Sequence, residues 1–187
     1  MAIRYTLDDV ERIFGVTYTP EQRVALEKVP FSADVLTACA ETHILVPGFP
    51  LSLLGVRAKH ANLFYTKTGG WYANQAFATD IQVSSSWHLL RMEPVPESFG
   101  KTWDEQTKLL LSDEEIPSSA LVTFATMLHF GATKQRLFER CYVRTSDIDS
   151  DGHRLFVGAF DAGGFYVRHC LDTGRRDILG WSSVRKF

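Results

Sequence analysis

Cysteine is scarce in this sequence. Cys39, Cys141 and Cys170 are odd in number and widely spaced, and no CxxC pair occurs among them. That pattern argues against a disulfide framework and reads as buried thiols in a reducing compartment. Charge of one sign is also missing. Twenty Lys and Arg against 22 Asp and Glu leave a net charge of −2, without the strong basic excess of a dedicated DNA binder. No apolar run reaches the ~20 residues needed to cross a bilayer. The opening MAIRYTLDDVERIFG lacks the basic start and apolar stretch of a secretory signal. The expectation is a soluble cytoplasmic protein with no membrane role.

Catalytic signatures are equally sparse. There is no GxxxxGK[ST] phosphate loop, no GxGxxG and no GxSxG elbow. FDAGGFYV has close glycines, but it falls in a hairpin pattern and not between a strand and a helix. The six histidines, His43, His60, His88, His129, His153 and His169, form neither HExxH nor HxH, so no zinc motif is written locally. His169 and Cys170 are neighbours on an expected strand and so face opposite ways. SSSWH sets serines beside His88 without a nucleophile elbow. No cofactor is expected.

At 187 residues the chain can hide roughly 70% of its unfolded surface, enough for one domain without a metal or disulfide. Three helix starts are explicit: Thr6 with Asp9, Thr19 with Pro20 and Gln22, and Thr102 with Glu105. Each pairs a capping hydroxyl with a side chain three residues on. They predict helices near 7–14, 20–28 and 103–111. After Pro117, SSALVTFATMLHF is apolar around most of its circumference and predicts a central helix over 118–130. Gly131 weakens or ends it before KQRLFER resumes. THILVP and SSWHLLRME read as strands, and PLSLLGVRAKH as a short helix.

The tail reads in blocks of eleven: SDGHRLFVGAF, DAGGFYVRHCL, DTGRRDILGWS. Gly152, Gly163 and Gly174 recur at that spacing, each preceded by turn-forming residues. Hairpins need such residues because Gly adopts positive φ without a Cβ clash. Four antiparallel strands are expected near 140–146, 154–160, 165–171 and 176–183. The fold class is therefore α+β, one domain over 1–187. It has a helical part over 1–30, a mixed central region, and an apolar helix packed on a four-stranded antiparallel β-meander over 118–187.

Two segments compete as sites. TSDIDSDGH spaces Asp147, Asp149, Asp151 and Gly152 like the opening of an EF-hand loop. That motif needs flanking helices and a Glu at its twelfth position, where this chain has Gly158 between strand-like flanks. A solvated hairpin turn is the preferred reading, and a metal on Asp147, Asp149 and Asp151 the disfavoured one. The second segment, residues 57–72, interleaves Arg57, Lys59, His60 and Lys67 with Phe64, Tyr65, Trp71 and Tyr72, with no acid until Asp80. Cations among aromatic faces suit single-stranded nucleic acid, although burial of the rings in the core accounts for the same pattern.

The reading that results is a non-enzymatic binding or regulatory module engaging a protein or nucleic acid through a surface formed by the antiparallel sheet and residues 57–72. A homo-oligomer is compatible with it. The alternative is a small enzyme with a site assembled from dispersed groups. His43 or His88, a cysteine and the 147–151 carboxylates are its candidates.

Overall fold

The computed structural model describes residues 3–66 and 69–187. β1 (Ile3–Arg4) leads into α1 (Leu7–Phe14), α2 (Pro20–Ala25) and α3 (Ala33–Ala38). β2 (His43–Pro47) is followed by α4 (Leu53–Lys59), α5 (Ala76–Thr79) and β3 (Trp87–Arg91). Next come α6 (Trp103–Thr107), β4 (Glu114–Glu115) and α7 (Ser119–Thr133). Five strands close the chain: β5 (Tyr142–Ile148), β6 (Arg154–Asp161), β7 (Gly164–Cys170), β8 (Leu179–Trp181) and β9 (Val184–Arg185). The class is α+β, with one sheet ordered β1-β2-β3-β9-β4 and another ordered β7-β6-β5-β8. Among the described residues no helix is long and apolar enough to cross a membrane.

All three capping boxes are present, at Thr6/Asp9, Thr19/Gln22 and Thr102/Glu105. The helices at 20 and 103 are shorter than the sequence suggests. α2 buries no side chain and α6 only Gln106, so neither has the apolar stripe that sustains a helix in a protein.

α7 carries the core. Every residue from Ser119 to His129 is buried, because β5 and β6 lie against one side while α1, α4 and α5 pack on the others. Gly131 does not break it. A Cβ there would lie 2.6 Å from Cγ2 of Ile13, so glycine is what lets α1 approach. The helix stops at Lys134, in left-handed geometry (φ 64°). KQRLFER forms a turn and not a resumed helix.

Strands β5, β6 and β7 form the expected antiparallel meander. The fourth strand departs from it. β8 crosses to the far edge and pairs with β5 in parallel, and β9 then enters the other sheet between β3 and β4. The cause lies in residues 171–178, which pass over the outer face of the sheet instead of turning back. There Asp172 pairs with Arg154 and the Gly174 carbonyl accepts from Arg144. Both faces are thus covered. Val143, Leu155, Val157 and Val167 point into the core with α7, while Arg144 and Phe156 lie under the outer segment and Trp181 bonds through its backbone to Val95 and Ser98, all three nearly fully buried.

Candidate functional site

β7 is an edge strand, and an edge leaves backbone groups open to pairing. Phe64, Tyr65 and Trp71 cover it. The Tyr65 N–H donates to the Phe165 carbonyl at 3.1 Å, and the Trp71 indole N–H to the Val167 carbonyl at 3.1 Å. The close approach depends on Gly164 at φ 119°, where a Cβ would stand 2.5 Å from the Tyr65 nitrogen.

A cleft of about 340 Å³ runs along this seam. Tyr65, 57% exposed, stacks on Tyr166 with ring centroids 4.4 Å apart. The Arg168 guanidinium lies over Tyr166 at 5.1 Å and that of Arg176 over Phe156 at 5.8 Å. Arg168 and Arg176 are exposed and neither forms an ion pair among the described residues. Among the described residues no carboxylate lines the cleft. At its other end, Trp71 is 42% exposed and stacks on His169 at 4.4 Å.

His169 connects the cleft to a cluster in the β5–β6 turn. Asp149 closes that turn as an Asx motif: Oδ1 accepts from the backbone N–H of Asp151 (3.0 Å) and of His153 (2.8 Å). Its Oδ2 lies 2.6 Å from His169 Nδ1 and 3.3 Å from His153 Nδ1. The two imidazole nitrogens are 3.2 Å apart. Burial pushes the Asp149 carboxyl up. The backbone donors and imidazoles outweigh that and hold it below the usual carboxylate range. Three metal-competent atoms therefore converge.

The neighbouring aspartates of the EF-hand-like spacing serve other ends. Asp147 Oδ2 accepts from the Ser119 N–H and hydroxyl at 2.6 Å each, and Oδ1 from Gln82 at 2.8 Å. It fixes the start of α7. The Asp151 side chain is exposed and takes no part in the cluster. The stretch turns a corner, as a hairpin turn should, and only Asp149 meets other ligand-type groups.

The basic-aromatic segment is divided. Arg57 points inward, 7% exposed, donating to the Gly69 carbonyl and lying 5.4 Å over the ring of buried Tyr72. His60 packs edge-on against Phe14, and Lys59 donates to the Gly15 carbonyl. Lys67 lies outside the described residues. Of the six residues read from the sequence, Trp71 and Tyr72 line the cleft, while Arg57, Lys59 and His60 do not. Tyr65, one of the aromatics of that segment, lines the cleft too, whereas Tyr166, Arg168, Arg176 and the Asp149–His169 pairing escape a reading by linear motif. A simple count of hairpin register misses the pairing as well: a turn at 161–164 alone would set His169 opposite Phe156, and the register shift between Gly158 and Asp161 brings it opposite Leu155, two residues from His153.

The enzyme candidates are dispersed. His88 Nε2 is 3.3 Å from the Ser86 hydroxyl, and burial holds its pKa below that of a free imidazole. No carboxylate bonds to that imidazole among the described residues, so a triad is absent. Burial pushes the Cys141 thiol up to about 11, which makes it a poor nucleophile. Cys39 is buried.

No protein-family model matches the chain, and no curated protein or solved structure is detectably similar to it.

Proposed function

We propose that the protein is a binding module whose cleft beside β7 takes single-stranded nucleic acid. One observation carries the reading: exposed Tyr65 stacks on half-buried Tyr166, and Arg168 and Arg176 line the same cleft, to which no carboxylate among the described residues contributes. Aromatic faces accept bases of any sequence, and unpaired guanidinium groups accept phosphate. The site is local, as the balanced net charge demands. Residues 134–187 carry ten basic against seven acidic groups, whereas 81–133 carry three against seven.

The test is fluorescence anisotropy with a labelled oligopyrimidine, competed by a free mononucleotide. Tyr166→Ala should weaken binding by ~1–3 kcal/mol, the worth of one base stack. Arg168→Gln should lower the slope of log affinity against log salt by about 1. Competition by the mononucleotide at equal strength would point to a free nucleotide as the ligand. Absent binding, or binding indifferent to both variants, would sink the proposal. A small enzyme is the second reading, favoured by the convergence of Asp149, His153 and His169 beside the cleft.

A further inference from the structure

Asp149, His153 and His169 combine features that a chance hydrogen-bonded cluster does not need. The first is separation. Ligand distances of about 2.0–2.1 Å in a tetrahedral site place neighbouring donor atoms roughly 3.3–3.4 Å apart. Two edges of the triangle measure 3.3 and 3.2 Å. The third, 2.6 Å, opens by a small rotation of His169, whose side chain is 41% exposed.

The second feature is support. Asp149 is oriented by two backbone N–H groups on its other oxygen. The turn that bears it is clamped by Gln75, which accepts from the Ser150 N–H at 2.9 Å and donates to its hydroxyl at 3.2 Å. The His169 ring is backed by the Trp71 indole, itself fixed to the Val167 carbonyl. Groups that hold ligands in place are what a metal site requires beyond the ligands themselves.

The third is chemistry. Two imidazole Nδ1 atoms face each other across a carboxylate oxygen, so in the tautomers protonated at Nε2 their lone pairs share one focus. A cation there satisfies all three at once. Two nitrogens and one oxygen suit a first-row divalent ion and not calcium or magnesium, which take oxygen ligands. His153 and His169 are both partly open to solvent, which leaves room for water or a ligand in the remaining positions.

We propose that Asp149, His153 and His169 bind one first-row divalent cation at the head of the β7 cleft. The assignment stands on these three side chains and does not depend on what the cleft binds.

The experiment uses the full chain, stripped with chelator and returned to chelator-free buffer. Zinc is titrated by calorimetry, and cobalt by visible absorption. One equivalent of each should bind. Asp149→Asn keeps the turn's acceptor while removing the charge, and His169→Gln alters an exposed residue, so both variants should remain folded by thermal melting. Each should weaken zinc by about tenfold or more, whereas Asp151→Asn should leave affinity unchanged. Three results would overturn the proposal: no saturable binding, affinity undiminished in both ligand variants, or a cobalt spectrum with sulfur charge-transfer bands that assigns the metal to a cysteine.

Discussion

His43 offers a prediction that can be worked through from the structure. It opens β2 opposite Arg91 of β3, is 2% exposed, and shares a 2.7 Å hydrogen bond between Nδ1 and the Thr42 hydroxyl. Its Nε2 is buried without a partner. Burial first, then the charges of Arg91 and Arg185, push its pKa down from 6.5 to about 4. The folded chain therefore refuses a proton that the unfolded chain takes up below about pH 6.5. Stability from this group is fully present above that pH and is lost as the pH falls toward 4. One proton contributes ~1.4 kcal/mol per pH unit, so the interval amounts to about 3 kcal/mol at most. Burial also lowers His60, His88 and His129, which steepens the same window. Replacing His43 with Leu fills the site with an apolar side chain that cannot titrate. Urea unfolding at several pH values between about 7 and 4.5 measures the stability of both proteins. The difference between the two curves cancels the other groups and should change by ~1.4 kcal/mol per pH unit. Parallel curves would refute the argument, since they would mean that His43 takes up its proton equally well in the folded chain.

Two further perturbations test the architecture around the cleft. Arg144 is fully buried and donates to the Lys101 carbonyl (2.9 Å), Gln106 Oε1 (2.7 Å) and the Gly174 carbonyl. Arg144→Met keeps the packing but strands those acceptors. The urea midpoint should fall by the equivalent of ~3 kcal/mol with an unchanged slope, and a wild-type midpoint would remove Arg144 as the link between β5 and its outer cover. Gly164→Ala forces a Cβ toward the Tyr65 backbone and should cost more than about 1–2 kcal/mol, the common range for incompatible backbone substitutions. Hydrogen exchange at the Tyr65 N–H should speed up by more than that of the α7 core; equal protection in both proteins would show that the pairing of Tyr65 with β7 does not depend on this glycine.

What the sequence discloses is mostly local. Capping boxes act within four residues, so Thr6, Thr19 and Thr102 mark helix starts wherever the chain later goes. The all-round apolarity of 118–130 likewise betrays a helix buried on several sides. Edges and crossovers are another matter. β1, β4 and β9 have two residues each, and they are strands only because other strands await them. The path of 171–178 is set by Arg144 and Arg154, charged residues inside a strand pattern whose partners lie far along the chain. The site suffers the same loss. Arg57 and Trp71 belong to one basic-aromatic stretch, yet α4 turns Arg57 inward while the strap over β7 leaves Trp71 at the surface.

The covering of β7 also separates what packing explains from what it leaves over. A bare edge strand in this sheet would invite pairing with another chain, and the Tyr65 N–H and Trp71 indole N–H quench two of its carbonyls. The indole is thereby accounted for, since a phenylalanine at 71 has no donor to offer Val167. The Tyr65 ring is different. Its backbone does the covering, while its side chain is more than half exposed against Tyr166. Edge protection requires neither that ring nor the two guanidinium groups beside it. The stack keeps an aromatic face open to solvent at Tyr65, with Arg168 and Arg176 on the cleft wall and the Asp161 carboxylate near the Tyr166 hydroxyl. The part of the seam that edge protection does not need is the part that the proposed binding role uses, and it is the part that opens onto His169.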